Sequence, residues 1–162
     1  MDPIELITED HRRIQALLDE YEAYGEDAYI QKQELVDSII DELEAHTEME
    51  ETIAYPAFRE AFDTEGDKKI EEAYAEHDVA KNLIEELRGL DPQDPQFDAK
   101  LVVLRESVMH HMEEEESSLL PSAETSMSGE DMARIGEEMK AFKDARDDAA
   151  LDALSDLDDD AL

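Results

Sequence analysis

At 162 residues with 41% hydrophobic content, the chain has material for one domain around one core. It has no cysteine, which excludes disulfides, thiolate metal sites, iron–sulfur clusters and thiol catalysis, so any metal must be held by histidine and carboxylate. Its 48 acids against 14 Lys plus Arg give a formal charge of −34, which repels phosphates and excludes nucleic acid and anionic membranes as expected partners.

That acidic excess is larger than solubility requires, and self-repulsion should weaken the compact state in dilute buffer. Adaptation to a salty, halophilic cytoplasm explains it, since screening lengths there fall to a few Å. No stretch approaches the roughly 18 consecutive apolar residues of a membrane span, and no basic start followed by an apolar run opens the chain. The expected location is cytoplasmic.

In chain order, Asp2 reads as an N-cap, Pro3 as the first helical position and Glu5 as the return arm of a capping box. The first helix is predicted to run to about Tyr24 and stop at Gly25. Ile7, Ile14, Leu17, Leu18 and Tyr21 share its face with His11, which therefore points inward. In the second helix Val36, Ile39, Ile40 and Leu43 lead to His46 on one stripe, and Pro56 should kink or end it, with residues 57–62 adding a turn or two. Residues 64–67, containing Gly66, are expected to link to a third helix over 68–88, where Ile70, Tyr74, Leu83, Ile84 and Leu87 accompany His77. The breaker-rich loop 91–96 leads to a fourth helix carrying Leu101, Leu104 and Val108 before His111.

After Pro121, residues 122–129 read as a polar linker. Ser128 and Asp131 then cap a short fifth helix bearing Met132, Ile135, Met139 and Phe142, and an acidic tail over 147–162 is expected to fray. The expected fold is all-α: an up-down-up-down four-helix bundle over 1–121, followed over 122–162 by a linker, the short helix and the tail.

The chain repeats one pattern. His46 and Glu50 stand one helical turn apart with Pro56 ten residues after the histidine, and His111, Glu115 and Pro121 reproduce that spacing. Asp10-His11 lies 35 residues before His46, and Glu76-His77 lies 34 before His111. His110 and Glu114 are also four apart, but the stripe behind His110 holds Ser107 and Lys100, so His110 is assigned to the surface or to a supporting position. A lone inward histidine is ordinarily a hydrogen-bonded core residue. Four histidines and two glutamates facing inward are different, because burying the carboxylates uncompensated costs about several kcal/mol each and a dication removes that cost. His11, His46, Glu50, His77, His111 and Glu115 are the candidate metal ligands; the donor types suit iron, manganese or zinc, and glutamates on paired helices can each bridge two ions.

Asp10-His11, His46-x-x-x-Glu50-Glu51 with Tyr55-Pro56, Glu76-His77, and His111-x-x-x-Glu115-Glu116 with Leu120-Pro121 together resemble the hemerythrin-like (HHE cation-binding) domain over roughly residues 2–121. The resemblance implies two iron ions with a bridging oxo or hydroxo group, the four histidines as terminal ligands, and Glu50 and Glu115 as bridges. It also implies that dioxygen, nitric oxide or peroxide is the small-molecule partner, and no separate catalytic residue is assigned. Ile14, Leu43, Ile53, Ile84, Leu104 and Val108 would keep the centre dry, and Asp10 and Glu76 could orient imidazoles. One departure matters: where oxygen-carrying relatives place a further histidine, this chain has Ala73. Either Tyr74, Glu72 or Glu76 substitutes, or the irons keep extra room. The expected function is a di-iron protein binding or sensing dioxygen or nitric oxide. A di-iron peroxidase or oxidase, iron storage or delivery, and a metal-free interaction module are the alternatives. No fused output domain is read here, so a sensor would act through a separate partner protein.

Overall fold

The computed structural model describes residues 1–159, and these are helical with no strand among them. Helix α1 spans Pro3–Ala23; the Asp2 carboxylate accepts from the Ile4 N–H at 2.8 Å and Pro3 needs no donor in the first turn. Asp2 caps alone, without the return bond anticipated from Glu5. The chain leaves helical geometry at Tyr24, one residue before the expected glycine stop.

Helix α2 (Tyr29–Met49) passes without a break into one wider π-type turn, Glu50–Ala54, and then into α3 (Tyr55–Ala61). Pro56 thus does not end the helix, which continues to Ala61. Its ring and missing N–H are incompatible with an ordinary helical interior, and widening the turn so that the Tyr55 N–H reaches the Glu50 carbonyl places Pro56 in the first turn of α3. The second half repeats the device. Helix α5 (Pro95–Glu114) runs into a π-type turn at Glu115–Leu119, closed from the Leu120 N–H to the Glu115 carbonyl, and continues as α6 (Leu120–Ser126).

Two expected links are helical. Helix α4 spans Thr64–Arg88, because Asp63 caps it by accepting from the Gly66 N–H at 3.0 Å. Gly66 lies in its first turn, where a Cβ would sit 2.5 Å from the Phe62 ring. Residues 122–126 belong to α6: Leu120 and Ala123 are buried, while the Ser122 and Thr125 hydroxyls donate to the Ser118 and Pro121 carbonyls, so the polar side chains are satisfied within the helix.

The fifth helix of the bundle count, α7, is long rather than short. It covers Gly129–Asp159, with Ser128 Oγ accepting from the Asp131 N–H as expected. Ile135 and Met139 are buried against the bundle. Residues 147–159, expected to fray, are helical, with Ala149, Ala150, Leu151, Ala153, Leu154 and Leu157 favouring the helix against the aspartates; residues 160–162 lie outside the described part.

Antiparallel α1, α2, α4 and α5 divide the interior into two apolar clusters. One contains Ile14, Leu18, Ile39, Leu43, Ile84, Leu104 and Val108. The other contains Ile7, Met49, Tyr55, Phe58, Ile70, Leu120, Ile135 and Met139. The sequence positions on either side show what lies between them: His11, His46, Glu50, His77, His111 and Glu115, all buried. Ile53, expected beside the centre, is only half-buried, because the π-type turn presents Ala54 and Tyr55 inward instead.

Candidate metal centre

The six sequence-derived donors converge. One donor atom each from His11, His46, Glu50 and Glu115 lies within 4.8 Å of the others, and Glu50, His77 and His111 form a second such group. The two carboxylates face both. Glu50 turns Oε1 to His46 Nε2 (2.8 Å) and Oε2 to His77 Nε2 (2.9 Å). Glu115 turns Oε1 to His11 Nε2 (3.2 Å) and Oε2 to His111 Nε2 (3.4 Å).

These close pairs include atoms that are not aligned as hydrogen bonds. His11 Nε2, His46 Nε2, Glu50 Oε1 and Glu115 Oε1 are buried with no hydrogen-bond partner. Buried polar atoms are nearly always paired, so four orphans pointing at one volume need an explanation. A cation bound among them fits the donor chemistry, being hard to borderline and free of thiolate.

Behind each imidazole stands a carboxylate. Nδ1 of His11 meets Glu116 at 2.9 Å, that of His46 meets Asp10 at 3.0 Å, that of His77 meets Glu51 at 2.9 Å, and that of His111 meets Glu76 at 3.1 Å. A carboxylate on Nδ1 fixes the proton there and leaves the Nε2 lone pair facing the centre. The pattern obeys the internal repeat: the acid preceding the α1 or α4 histidine serves the α2 or α5 histidine, and the acid following each inward glutamate crosses to α4 or α1 of the other hairpin. Asp10 and Glu76 were legible as orienting acids. Glu51 and Glu116 were not, because each reaches a histidine of the other helical hairpin, whereas Asp10 and Glu76 stay within their own.

Sequence reasoning also missed Tyr55. Its hydroxyl is fully buried, donates to Glu50 Oε2 at 3.0 Å and to Glu115 Oε2, and lies 3.4 Å from Nε2 of both His77 and His111. In a regular helix a residue five after Glu50 would point away; the π-type turn swings it back. The repeat places Leu120 at the equivalent position, so the two donor groups differ. Of the substitutes considered for the absent histidine, Tyr74 donates to the Glu51 carbonyl at 3.3 Å, Glu76 holds His111 and Glu72 is exposed. None joins either donor group. His110 is at the surface with Nε2 3.6 Å from Glu76, as its register implied.

The space beside Ala73 is a cavity of about 30 Å³ lined by Ala73, Glu76, His111, Glu115 and Leu119. A second, of about 20 Å³, lies against His46, His77 and His111 under Ile14, Leu43 and Val108. Each is large enough for a water-sized molecule.

Charge is shared across the cluster. Burial pushes the His46 pKa down, but Glu50 and Asp10 outweigh it and hold it up at about 10. His111 is likewise disfavoured by burial and raised to about 12 by Glu115, Glu50 and Glu76. Burial would raise Glu50, yet the surrounding imidazoles keep it well below the usual carboxylate range. Burial, reinforced by both glutamates, drives the Tyr55 hydroxyl well above its ordinary pKa, so it stays a donor.

A bundle whose layer of buried histidines and carboxylates can hold a cation defines a class of helical metal-binding domain. Residues 2–123 match the model of the Hemerythrin HHE cation binding domain, and the chain belongs to that family. It is 32% identical over 139 residues to a DNA nickase of Nostoc sp., covering 86% of this chain and only 38% of that protein. It is 28% identical over 139 residues to an uncharacterized hemerythrin-like protein of Schizosaccharomyces pombe, covering 84% of this chain and 68% of the relative. The crystal structure of an HHE cation binding domain-containing protein from Mycobacterium kansasii superposes with a TM-score of 0.78 over 93% of this chain and 91% of that one, at 22% identity. No helix among the described residues is long and apolar enough to cross a membrane.

Proposed function

We propose that the chain is a non-haem di-iron protein that binds or senses dioxygen or nitric oxide. The observation that carries this reading is the set of four orphaned donor atoms on His11, His46, Glu50 and Glu115. His11 and His46 would hold one ion and His77 and His111 the other, with the Glu50 and Glu115 carboxylates shared between them. When bound, the iron pair supplies redox electrons and open positions for a small ligand. The protein's part is to orient four imidazoles through Asp10, Glu51, Glu76 and Glu116, and to exclude water with the apolar clusters. It also leaves small cavities beside Ala73 and beneath Ile14 and Leu43. Without cations, the two buried carboxylates would each cost about several kcal/mol.

A second reading, a di-iron peroxidase or oxidase, is favoured by Tyr55. Its hydroxyl bonds both carboxylates and keeps its proton within the donor cluster, which a proton-transfer reaction there could use. DNA nicking belongs to the whole Nostoc protein, of which this chain spans 38%, and a charge of −34 opposes approach to phosphates.

Protein purified without chelator should carry close to two transition-metal ions per chain by elemental analysis, iron rather than manganese or zinc. Absence of stoichiometric metal overturns the proposal. Ferrous loading without air followed by oxygen then separates the roles. A reversible, ligand-dependent absorption band supports binding, catalytic loss of hydrogen peroxide supports the enzyme, and release of ferric iron supports storage.

A further inference from the structure

Of the four carboxylates that hold the imidazoles, Asp10 is the most deeply buried: its side chain is 5% exposed, against 29% for Glu116, 20% for Glu51 and 19% for Glu76. A carboxylate so far from water depends most on a fixed cation. Two of the others take theirs from the bundle, Arg12 on Glu116 and Lys81 on Glu51, while Glu76 bonds His111 and is partly open to solvent. Asp10 takes one from its own helix, Arg13, which is half-exposed, and a second from outside the bundle. That second cation is Lys143 of α7, three-quarters buried, whose Nζ donates to Asp10 Oδ1 while Asp10 Oδ2 holds His46.

Lys143 sits where α7 leaves the bundle. Ile135 and Met139 are buried and Phe142 is half-buried; at Lys143 a groove of about 760 Å³ opens between α7 and the bundle, and Asp10, Arg13, Glu42, Lys143 and Arg146 are among the residues of its wall. Arg146 reaches Glu48 at 3.0 Å, on an exposed position that touches no donor. The last contact that α7 makes with a buried side chain of the bundle, among these ion pairs, is therefore with the acid behind one histidine of one donor group.

We infer that Lys143 is a positioning residue for the metal centre: through Asp10 it holds His46 in line with Glu50, Glu115 and His11, so that docking of α7 sets the affinity of one metal position and not the other. The inference rests on the proposed metal function. Its reach is local, because His77 and His111 are held by Glu51 and Glu76, which Lys143 does not touch.

The test is titration of metal-free protein with cobalt(II), followed by calorimetry and by the visible cobalt absorption, which reports ligand geometry. Wild type should take two ions. Lys143→Met should weaken one binding step by about ten-fold and alter its cobalt spectrum, while the other step stays within about two-fold. Lys143→Arg should restore both, and Arg146→Met, which frees the far end of α7, should match wild type. Asp10→Asn, which removes the partner of Lys143 as well as the support of His46, should reproduce the one-step loss, and Lys143→Gln, which keeps a donor without the charge and should weaken the same single step, decides the matter should Lys143→Met fail to fold. Two unchanged steps in Lys143→Met, or equal loss of both, overturns the inference. Failure of wild type to bind cobalt or iron overturns the functional reading instead.

Discussion

Glu50 is completely buried, contacts imidazoles from three helices and accepts the Tyr55 hydroxyl. Glu50→Gln keeps the shape but removes the charge both ions would share. At metal a thousand-fold above Kd, wild type should gain about 4 kcal/mol for each ion, about 8 kcal/mol for two, and this variant should gain roughly half of that or less, read from paired thermal melts. Protons compete for the same atoms. With pKa values near 10 and 12 against 6.5 unfolded, His46 and His111 are protonated in metal-free protein at neutral pH. The stability they add to that form is complete below 6.5 and is lost as pH rises through about 10 and then about 12. Metal uptake must displace these protons, so affinity should rise with pH; calorimetry in buffers of different protonation enthalpy should detect proton release on binding. Tyr55→Phe leaves two glutamate oxygens short of a donor and should destabilise metal-free protein by about 1–3 kcal/mol, and the loaded form by less, measured by urea denaturation.

At the scale of elements, the helices that carry the donors were readable because His11, His46, His77 and His111 each continue an apolar stripe of period 3.6. The six donors followed from that register alone. The π-type turns were not readable: His-x-x-x-Glu and a proline ten residues on are compatible with an ordinary helix that ends, and only packed coordinates reveal the widened turn that brings Tyr55 inward. Gly66 misled for a related reason. A glycine among polar residues reads as a link, whereas here it makes room for Phe62. Ala at that position gains about 1 kcal/mol of helical propensity, but its Cβ would overlap the base of the Phe62 ring, a clash costing about 1–3 kcal/mol. Gly66→Ala should therefore come out neutral to destabilising rather than stabilising, as denaturant unfolding will measure.

For the molecule as a whole, the charge of −34 is spread over a surface whose ion pairs are mostly solvent-facing, such as Arg134–Glu138 and Lys140–Asp144. Exposed pairs contribute little, so net repulsion dominates in dilute buffer. The melting temperature should rise markedly between low and molar salt, and equal stability in both would end the halophilic reading. Salt tolerance of this kind leaves the buried cluster untouched, since screening acts on exposed charge.

The exchange of acids between the two helical hairpins carries a consequence for how the protein comes into being. His11 leans on Glu116 and His77 on Glu51, each from the opposite hairpin, and both glutamates between the donor groups come from different halves. Neither half, made alone, owns a finished cradle. A ribosome releasing the first hairpin has produced three of the four donors of one group and only Glu50 of the other, and both groups are completed when its twin folds against it.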